Sequence, residues 1–368
     1  MTHLAEVFPP GEFLQEELDA RGWSQTELAE IMGRPVRLIN EIVAGKRAIT
    51  PETAVQLGDS LGTSAEVWLN LESRYQLSKV QASDGRIARR AKLYAQFPVR
   101  EIAKRGWIPA KSEVEDQEAA LCAFFGLRSI DQPVQFRHAA RKTEIEGPKA
   151  MLQFAWLFRA RQVASEMLVP KYSASVLKTA LARLEALRSA AEEVRHVAPV
   201  LAECGVRFVV VEPIPGTKID GACFWLDDAQ PVIALSLRLD RIDNFWFVLR
   251  HEIEHVLRED GRDSFILDTD LESAPSTDPA EVAANQAGAE FCTPQAELKH
   301  FMARVGPFYA EDRVLLFAQR LKIHPGLVVG QLHRQLNRFD LFKRHQVKVR
   351  SFVIASARTD GYGVVTTM

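Results

Sequence analysis

The stretch that most constrains this chain is Phe247-Val248-Leu249-Arg250-His251-Glu252-Ile253-Glu254-His255. Two histidines four positions apart share one face of an α-helix, so both rings can reach one ion. The surrounding residues, from Ile242 to Leu257, are apolar at Phe245, Phe247, Val248, Leu249, Val256 and Leu257. That pattern predicts a helix set into a globular core. Two imidazoles and a carboxylate suit zinc with one position left to water, and manganese, iron or cobalt accept the same donors. The H-E-x-x-H pattern gives Glu252 the general-base role toward that water. Helical geometry places Glu252 and Glu254 on opposite flanks of the histidine pair at similar angles, so spacing by itself leaves both open.

A third ligand must come from elsewhere. Thr277-Asp278-Pro279-Ala280-Glu281 reads as a helix start, with Asp278 as N-cap, Pro279 at the first position and Glu281 closing a capping box. Glu281 and Asn285 then face the same way. The cap is a sufficient structural reason for Glu281; Glu290, Asp268 and Asp270 are weaker competitors for the ligand role.

The clearest strand signals are two short runs, VRFVVVEPI and PVIALSL, between residues 205 and 239. Around them the periodicity is helical. Residues 1–78 read as short helices with capping boxes at Ser24–Glu27 and Thr63–Glu66, and with Thr50-Pro51 opening another. Residues 79–200 read as a helical connecting domain containing the basic run Arg86–Arg105, and residues 336–368 as an extension with a final strand pair at Lys348–Ala355 and Gly361–Thr367. The expected architecture is multidomain: an all-α N-terminal domain, a helical middle, and an α+β domain with a small sheet over residues 201–335.

The formal net charge of −2 favours no acidic or basic partner, so any DNA affinity must be local. The four cysteines are scattered with no CxxC pair, which argues against a zinc ribbon or a disulfide framework. No apolar run reaches bilayer length and no secretory leader is visible, which predicts a cytoplasmic protein with no membrane partner.

FVLRHEIEH followed by EVAANQAGAEFCTP resembles the ImmA/IrrE family of metallopeptidases, with a zincin-like fold. The resemblance implies that His251 and His255 hold the metal, Glu281 is the acidic third ligand and Glu252 the catalytic acid/base. Gly221-Ala222 and the segment from Lys322 to Leu332 match further family elements, so the likeness covers roughly residues 200–335. The chain departs from the family where Glu254 replaces a usual glycine, at Cys292-Thr293, and in the small stretch Gln286-Ala287-Gly288.

Residues 10–75 resemble the XRE-type helix-turn-helix of HigA/VapI antitoxins, through Ser24-Gln25-Thr26-Glu27-Leu28-Ala29, Gly33, Ile39-Asn40, Gly45-Lys46-Arg47 and Ile49-Thr50-Pro51. The resemblance implies that the third helix enters the major groove of double-stranded operator DNA, in a homodimer. Gln25, Arg37 and Asn40 are the candidates for base edges, because Gln and Asn pair with adenine and Arg with guanine. Arg34, Lys46 and Arg47 are the candidates for phosphates. Together these features predict a transcriptional regulator carrying a zinc-dependent endopeptidase that cuts a repressor or an antitoxin-like protein. The alternative is an antitoxin-like repressor, with a toxin as partner, whose zinc domain is structural or sensory.

Overall fold

The computed structural model describes residues 7–80, 85–136, 148–271 and 277–362. The chain divides into two compact units at Ile87/Ala88, and each is described by itself.

The first unit consists of α1 (Pro10–Arg21), α2 (Gln25–Met32), α3 (Val36–Val43), α4 (Pro51–Leu61) and α5 (Ala65–Lys79). The α2 start is the predicted capping box: Glu27 N donates to Ser24 Oγ at 3.2 Å, and Ser24 N donates to Glu27 Oε2 at 2.6 Å. Thr50 caps α4 as expected, accepting from Thr53 N at 3.3 Å. The α5 start differs from the sequence reading. Its N-cap is Ser64, with no side-chain cap bond, while Thr63 Oγ1 accepts from the indole N–H of buried Trp68 at 2.8 Å. A buried Trp N–H left without a partner costs more than a missing exposed cap. Leu14, Leu18, Leu28, Ala29, Ile39, Ile42, Leu57 and Trp68 form the core.

The second unit opens with α6 (Arg86–Gln96), α7 (Val99–Lys104), α8 (Val114–Phe125), α9 (Pro148–Ser165), α10 (Ala174–Ala186) and α11 (Val197–Glu203). Strands β1 (Arg207–Val210), β2 (Ile219–Trp225) and β3 (Pro231–Leu235) precede α12 (Ile242–Leu257). Strand β4 (Ile266–Thr269) leads to α13 (Pro279–Cys292), α14 (Gln295–Val305), α15 (Glu311–Leu321) and α16 (Pro325–Leu336), and the chain closes with α17 (Arg350–Val353) and β5 (Arg358–Thr359). The sheet order is β4-β2-β3-β1-β5, with β1 parallel to β3 and β5, and β2 antiparallel to β3 and β4. Among the described residues no helix is long and apolar enough to cross a membrane.

Every residue of β1, β2 and β3 is buried. Alternate side chains feed two cores. Phe208, Val210, Cys223, Trp225, Ile233 and Leu235 meet α12 on one face. Val209, Ala222, Phe224, Val232 and Ala234 meet Phe125, Trp156 and Phe158 on the other. Helices from residues 79–200, expected as a connecting domain, therefore flank the sheet itself, α6–α9 on this second face and α10 and α11 with α12 on the first. The reason is physical: a sheet whose strands are apolar on both faces must be covered on both. Residues 336–368, expected as an extension, likewise supply β5, whose register pairs Val209 with Arg358.

Two local expectations fail. Lys348–Ala355 is not a strand; Arg350–Val353 is helical, begun where Val349 N and Arg350 N both donate to Asp240 Oδ1 at 2.9 and 2.7 Å. Most of the expected partner strand, residues 363–367 of Gly361–Thr367, lies outside the described residues. The basic run Arg86–Arg105 is largely spent inside the unit. Arg89 pairs with Glu115 and Glu118, Lys92 with Asp131, and buried Arg105 donates to Glu212 O and Pro213 O at 2.9 Å each.

Candidate metal centre and nucleic-acid interface

Helix α12 lies against the sheet with His251, Glu252 and His255 all 0% exposed. Asp260 Oδ2 lies 3.1 Å from His255 Nδ1, which fixes the ring so that Nε2 points the other way. The two Nε2 atoms converge to 3.1 Å. Helix α13 starts where sequence placed it, with Asp278 accepting from Ala280 N at 2.9 Å. The closing half of the expected capping box is absent, because Glu281 turns inward. Its oxygens lie 3.4 Å from His251 Nε2 and 3.5 Å from His255 Nε2. Gly288 permits that approach: a Cβ there would sit 2.9 Å from Phe247 O on α12.

A fourth donor comes from β4. The antiparallel register sets Asp268 opposite Gly221, so both face α12. Asp268 Oδ2 is 3.2 Å from His251 Nε2, and one donor atom from each of His251, His255, Asp268 and Glu281 lies within 4.8 Å of the others. Zinc bonded at about 2.0–2.1 Å to a tetrahedron of donors needs donor–donor edges of about 3.3 Å. The separations among His251, His255 and Glu281, 3.1 to 3.5 Å, match those edges, and Asp268 meets them through His251 at 3.2 Å while all four donors stay within 4.8 Å. Two imidazoles and two carboxylates, three of these residues almost wholly buried, are also a donor set that would be costly to leave without a cation.

Glu252 is buried against that ring of donors, its carboxyl facing that of Asp268, and no other group reaches either of its oxygens among the described residues. Burial, and then the charge of Asp268, push its pKa well above the ordinary carboxyl value. Gly221 leaves it room, since a Cβ at that position would stand 2.2 Å from Glu252 Oε1. Burial works against ionisation of Asp268 too, but His251 and then His255 hold it below the usual range. Burial pulls His251 down, while Asp268 and Glu281 outweigh it and lift the ring to about 9.

The two glutamates that spacing left open lie in different surroundings: Glu252 is buried beside Asp268. Glu254 accepts from Arg250 Nη2 at 2.8 Å and is half-buried away from the histidine rings. The extra carboxylate at the centre is thus Asp268, which sequence ranked low because it lies in a four-residue strand with no helical spacing to the histidines. Its competitors are engaged elsewhere. Asp270 pairs with Lys218 at 2.6 Å, and Glu290 accepts from Gln295 N at 2.9 Å. A cleft of about 520 Å³ opens beside Glu281, lined among others by Asp260, Phe265, Leu267, Thr269 and Asp278.

In the first unit, Arg37 and Asn40 are exposed on α3, one turn apart, and Lys46 and Arg47 are exposed in the loop that follows. Arg37 Nε donates to Glu41 Oε1 at 2.7 Å, and Arg47 Nη1 to Glu41 Oε2 at 3.2 Å. Gln25, at the first position of α2, is half-buried and donates to Gln15 Oε1 at 2.9 Å. Arg34 is tied to α4, donating to Gln56 Oε1 at 2.9 Å and pairing with Glu52. The structure thus brings four of the six candidates to an open surface and engages Gln25 and Arg34 in contacts of their own.

Comparison with known proteins matches residues 14–68 to the helix-turn-helix family and residues 205–330 to the IrrE N-terminal-like domain of a peptidase family. The HTH-type transcriptional regulator YddM of Escherichia coli K12 is 35% identical over 72 residues, covering 20% of this chain and 77% of that protein. Virulence-associated protein I of Dichelobacter nodosus is 40% identical over 73 residues, covering 20% of this chain and 68% of that protein. Among solved structures, the Pseudomonas aeruginosa antitoxin HigA with its higBA promoter is 33% identical, covering 23% of this chain and 91% of that one, with a TM-score of 0.21.

Proposed function

Because this chain belongs to the helix-turn-helix transcriptional regulators through its first unit and carries an IrrE-like peptidase-family domain in its second, we propose that it binds an operator and hydrolyses a protein substrate, a repressor or an antitoxin-like protein. The observation that carries the hydrolytic half is the convergence of His251, His255 and Glu281 beside the buried Glu252 carboxyl, whose one neighbour is Asp268 of the same centre. These residues, with Asp268, would hold the ion. When bound, a zinc-type cation supplies Lewis acidity toward a peptide carbonyl and toward water. Glu252 takes a proton from the attacking water on one carboxyl oxygen and returns it to the leaving amine. A carboxyl whose pKa burial has raised suits both halves of that transfer.

The sheet supports a place for the substrate at an open edge. Strand β3 is paired on both sides, by β1 and β2, so it has no edge to offer. The free edge on the metal side belongs to β4, and the cleft beside Glu281 runs along it.

For the operator, Arg37 and Asn40 on α3 are assigned to base edges, and Lys46 and Arg47 to phosphates. A homodimer on inverted half-sites is the assembly this type of domain uses. A toxin partner belongs with the second reading, an antitoxin-like repressor with a structural or sensory ion, which the four-donor closure by Asp268 favours.

The two readings part at Glu252. New protein N-termini would be labelled in cells producing the wild type or Glu252→Gln. The peptidase reading expects cuts made only by the wild type, with metal content equal in both. Identical sets of N-termini would sink it and leave the sensory reading.

A further inference from the structure

We propose that Asp268 is a fourth ligand that keeps the centre closed and latent, and that the centre opens when β4 leaves β2. The inference rests on the peptidase reading above and concerns how that same site is regulated. Three observations carry it.

The first is the donor count. Catalytic zinc sites keep three protein ligands and leave a position for water, whereas structural sites use four. His251, His255 and Glu281 make three, and Asp268 Oδ2, 3.2 Å from His251 Nε2, makes four. With Asp268 in place, a tetrahedral ion has no donor position left for solvent.

The second is Glu252. A structural site has no use for a fifth acid that is 0% exposed and whose one neighbour is the Asp268 carboxylate. Burying such an acid beside another carboxylate is costly to the fold. A closed ion beside a retained acid/base describes a working site held in its resting form.

The third is the strand that brings Asp268. β4 is four residues long, lies at the sheet edge, and is half-buried at Ile266, Leu267 and Thr269, whereas β1, β2 and β3 are buried throughout. Its pairing with β2 slips between Ile219 and Gly221. Just beyond it the chain is held by polar contacts: Asp270 with Lys218 at 2.6 Å and Arg238 at 3.4 Å, and Leu271 N with Asp220 Oδ2 at 2.9 Å. The other three ligands sit on α12 and α13, which pack together tightly enough to exclude a Cβ at Gly288. Asp268 is therefore the ligand that can leave while the rest stay. An extended peptide that pairs with β2 in place of β4 would withdraw Asp268 in the same step.

The experiment uses full-length protein loaded with cobalt(II), whose visible d–d bands report the coordination, and azide as a small probe ligand. The wild type is expected to bind the ion and show bands that azide does not move. Asp268→Ala is expected to bind cobalt at least about tenfold more weakly and to show bands that azide shifts. Asp268→Asn gives the same direction of change should the alanine variant not fold. Wild-type bands that shift with azide as readily as the variant's overturn the closure and leave the peptidase reading standing. A wild type that binds no cobalt, like His251→Ala, overturns both.

Discussion

Glu252→Gln should stabilise the metal-free protein, increasingly so as pH rises from 4.5 to 6.5. In the folded chain, burial and then Asp268 hold the Glu252 carboxyl pKa well above its ordinary value of 4.5. An acid whose folded pKa is raised contributes no penalty below its unfolded pKa and destabilises the fold as pH climbs past it, because only the unfolded chain releases the proton. Each unit of pH in that regime costs about 1.4 kcal/mol. Integrated from pH 4.5 to 6.5 with an unfolded value of 4.5, the wild type loses about 2 kcal/mol that the glutamine variant keeps. The neighbouring groups do not blur this window. Asp268, held low, contributes fully above its ordinary value of 3.8. His251, lifted to about 9, contributes fully below its ordinary 6.5 and loses that only on the way to 9. For a unit of this size 2 kcal/mol corresponds to roughly 3–4 °C in melting temperature. Thermal scans in excess chelator at pH 4.5, 5.5 and 6.5 should show the two proteins separating by that amount. Curves that run parallel across the window would mean that Glu252 ionises in the fold as it does in water, and the account of a desolvated acid would be wrong.

Glu281→Ala should abolish retention of a stoichiometric metal through gel filtration while leaving far-ultraviolet circular dichroism unchanged; metal retained at the wild-type level would move the third ligand elsewhere. Because the His251 ring sits near 9 without metal, binding must displace a proton, so zinc affinity should rise about tenfold per pH unit between 6.5 and 8.5, and a flat competition titration would refute it. Gly221→Ala puts a Cβ 2.2 Å from Glu252 Oε1 and 3.0 Å from Val248 Cγ1; a loss of about 1–3 kcal/mol by denaturant unfolding is expected, and an unchanged midpoint would show that α12 yields freely. Arg37→Ala should weaken specific operator binding by roughly 1–3 kcal/mol in gel-shift titrations, whereas equal losses on operator and random DNA would reassign Arg37 to phosphate.

What the sequence revealed depended on the range of the forces involved. Helix starts at Ser24, Thr50 and Asp278 were legible because a cap is a local event. The pairing of His251 with His255 was legible for the same reason, being one turn of one helix. Asp268 was not, because nothing local ties a strand residue to a helix; only the register of β4 on β2 places it over the histidines. A signal did exist for the layer structure. VRFVVV and PVIAL are continuous apolar runs, the mark of strands buried on both faces, and they imply that residues outside 201–335 must cover the second face. Thr63 shows a different failure, a capping pattern overridden by another local need, that of the indole N–H of Trp68 five residues on.

The centre and the core share one element, and that limits how the two functional readings can be reconciled. Phe245, Trp246, Val248, Leu249, Ile253 and Val256 bury α12 in the second unit, on the same helix that carries His251, Glu252 and His255. Either reading therefore couples metal binding to the stability of that unit. They differ in the open position that hydrolysis alone needs, and in what they require of Glu252. A structural or sensory ion needs the four outer donors and nothing more, and selection for stability alone would replace a buried carboxyl beside Asp268 with an apolar side chain of similar volume. Hydrolysis needs a proton carrier beside the ion. It also needs Gly221, since any larger residue there would occupy the space of that carboxyl. The pair Gly221 and Glu252 is thus where the two readings part, in a way the ligands themselves are not.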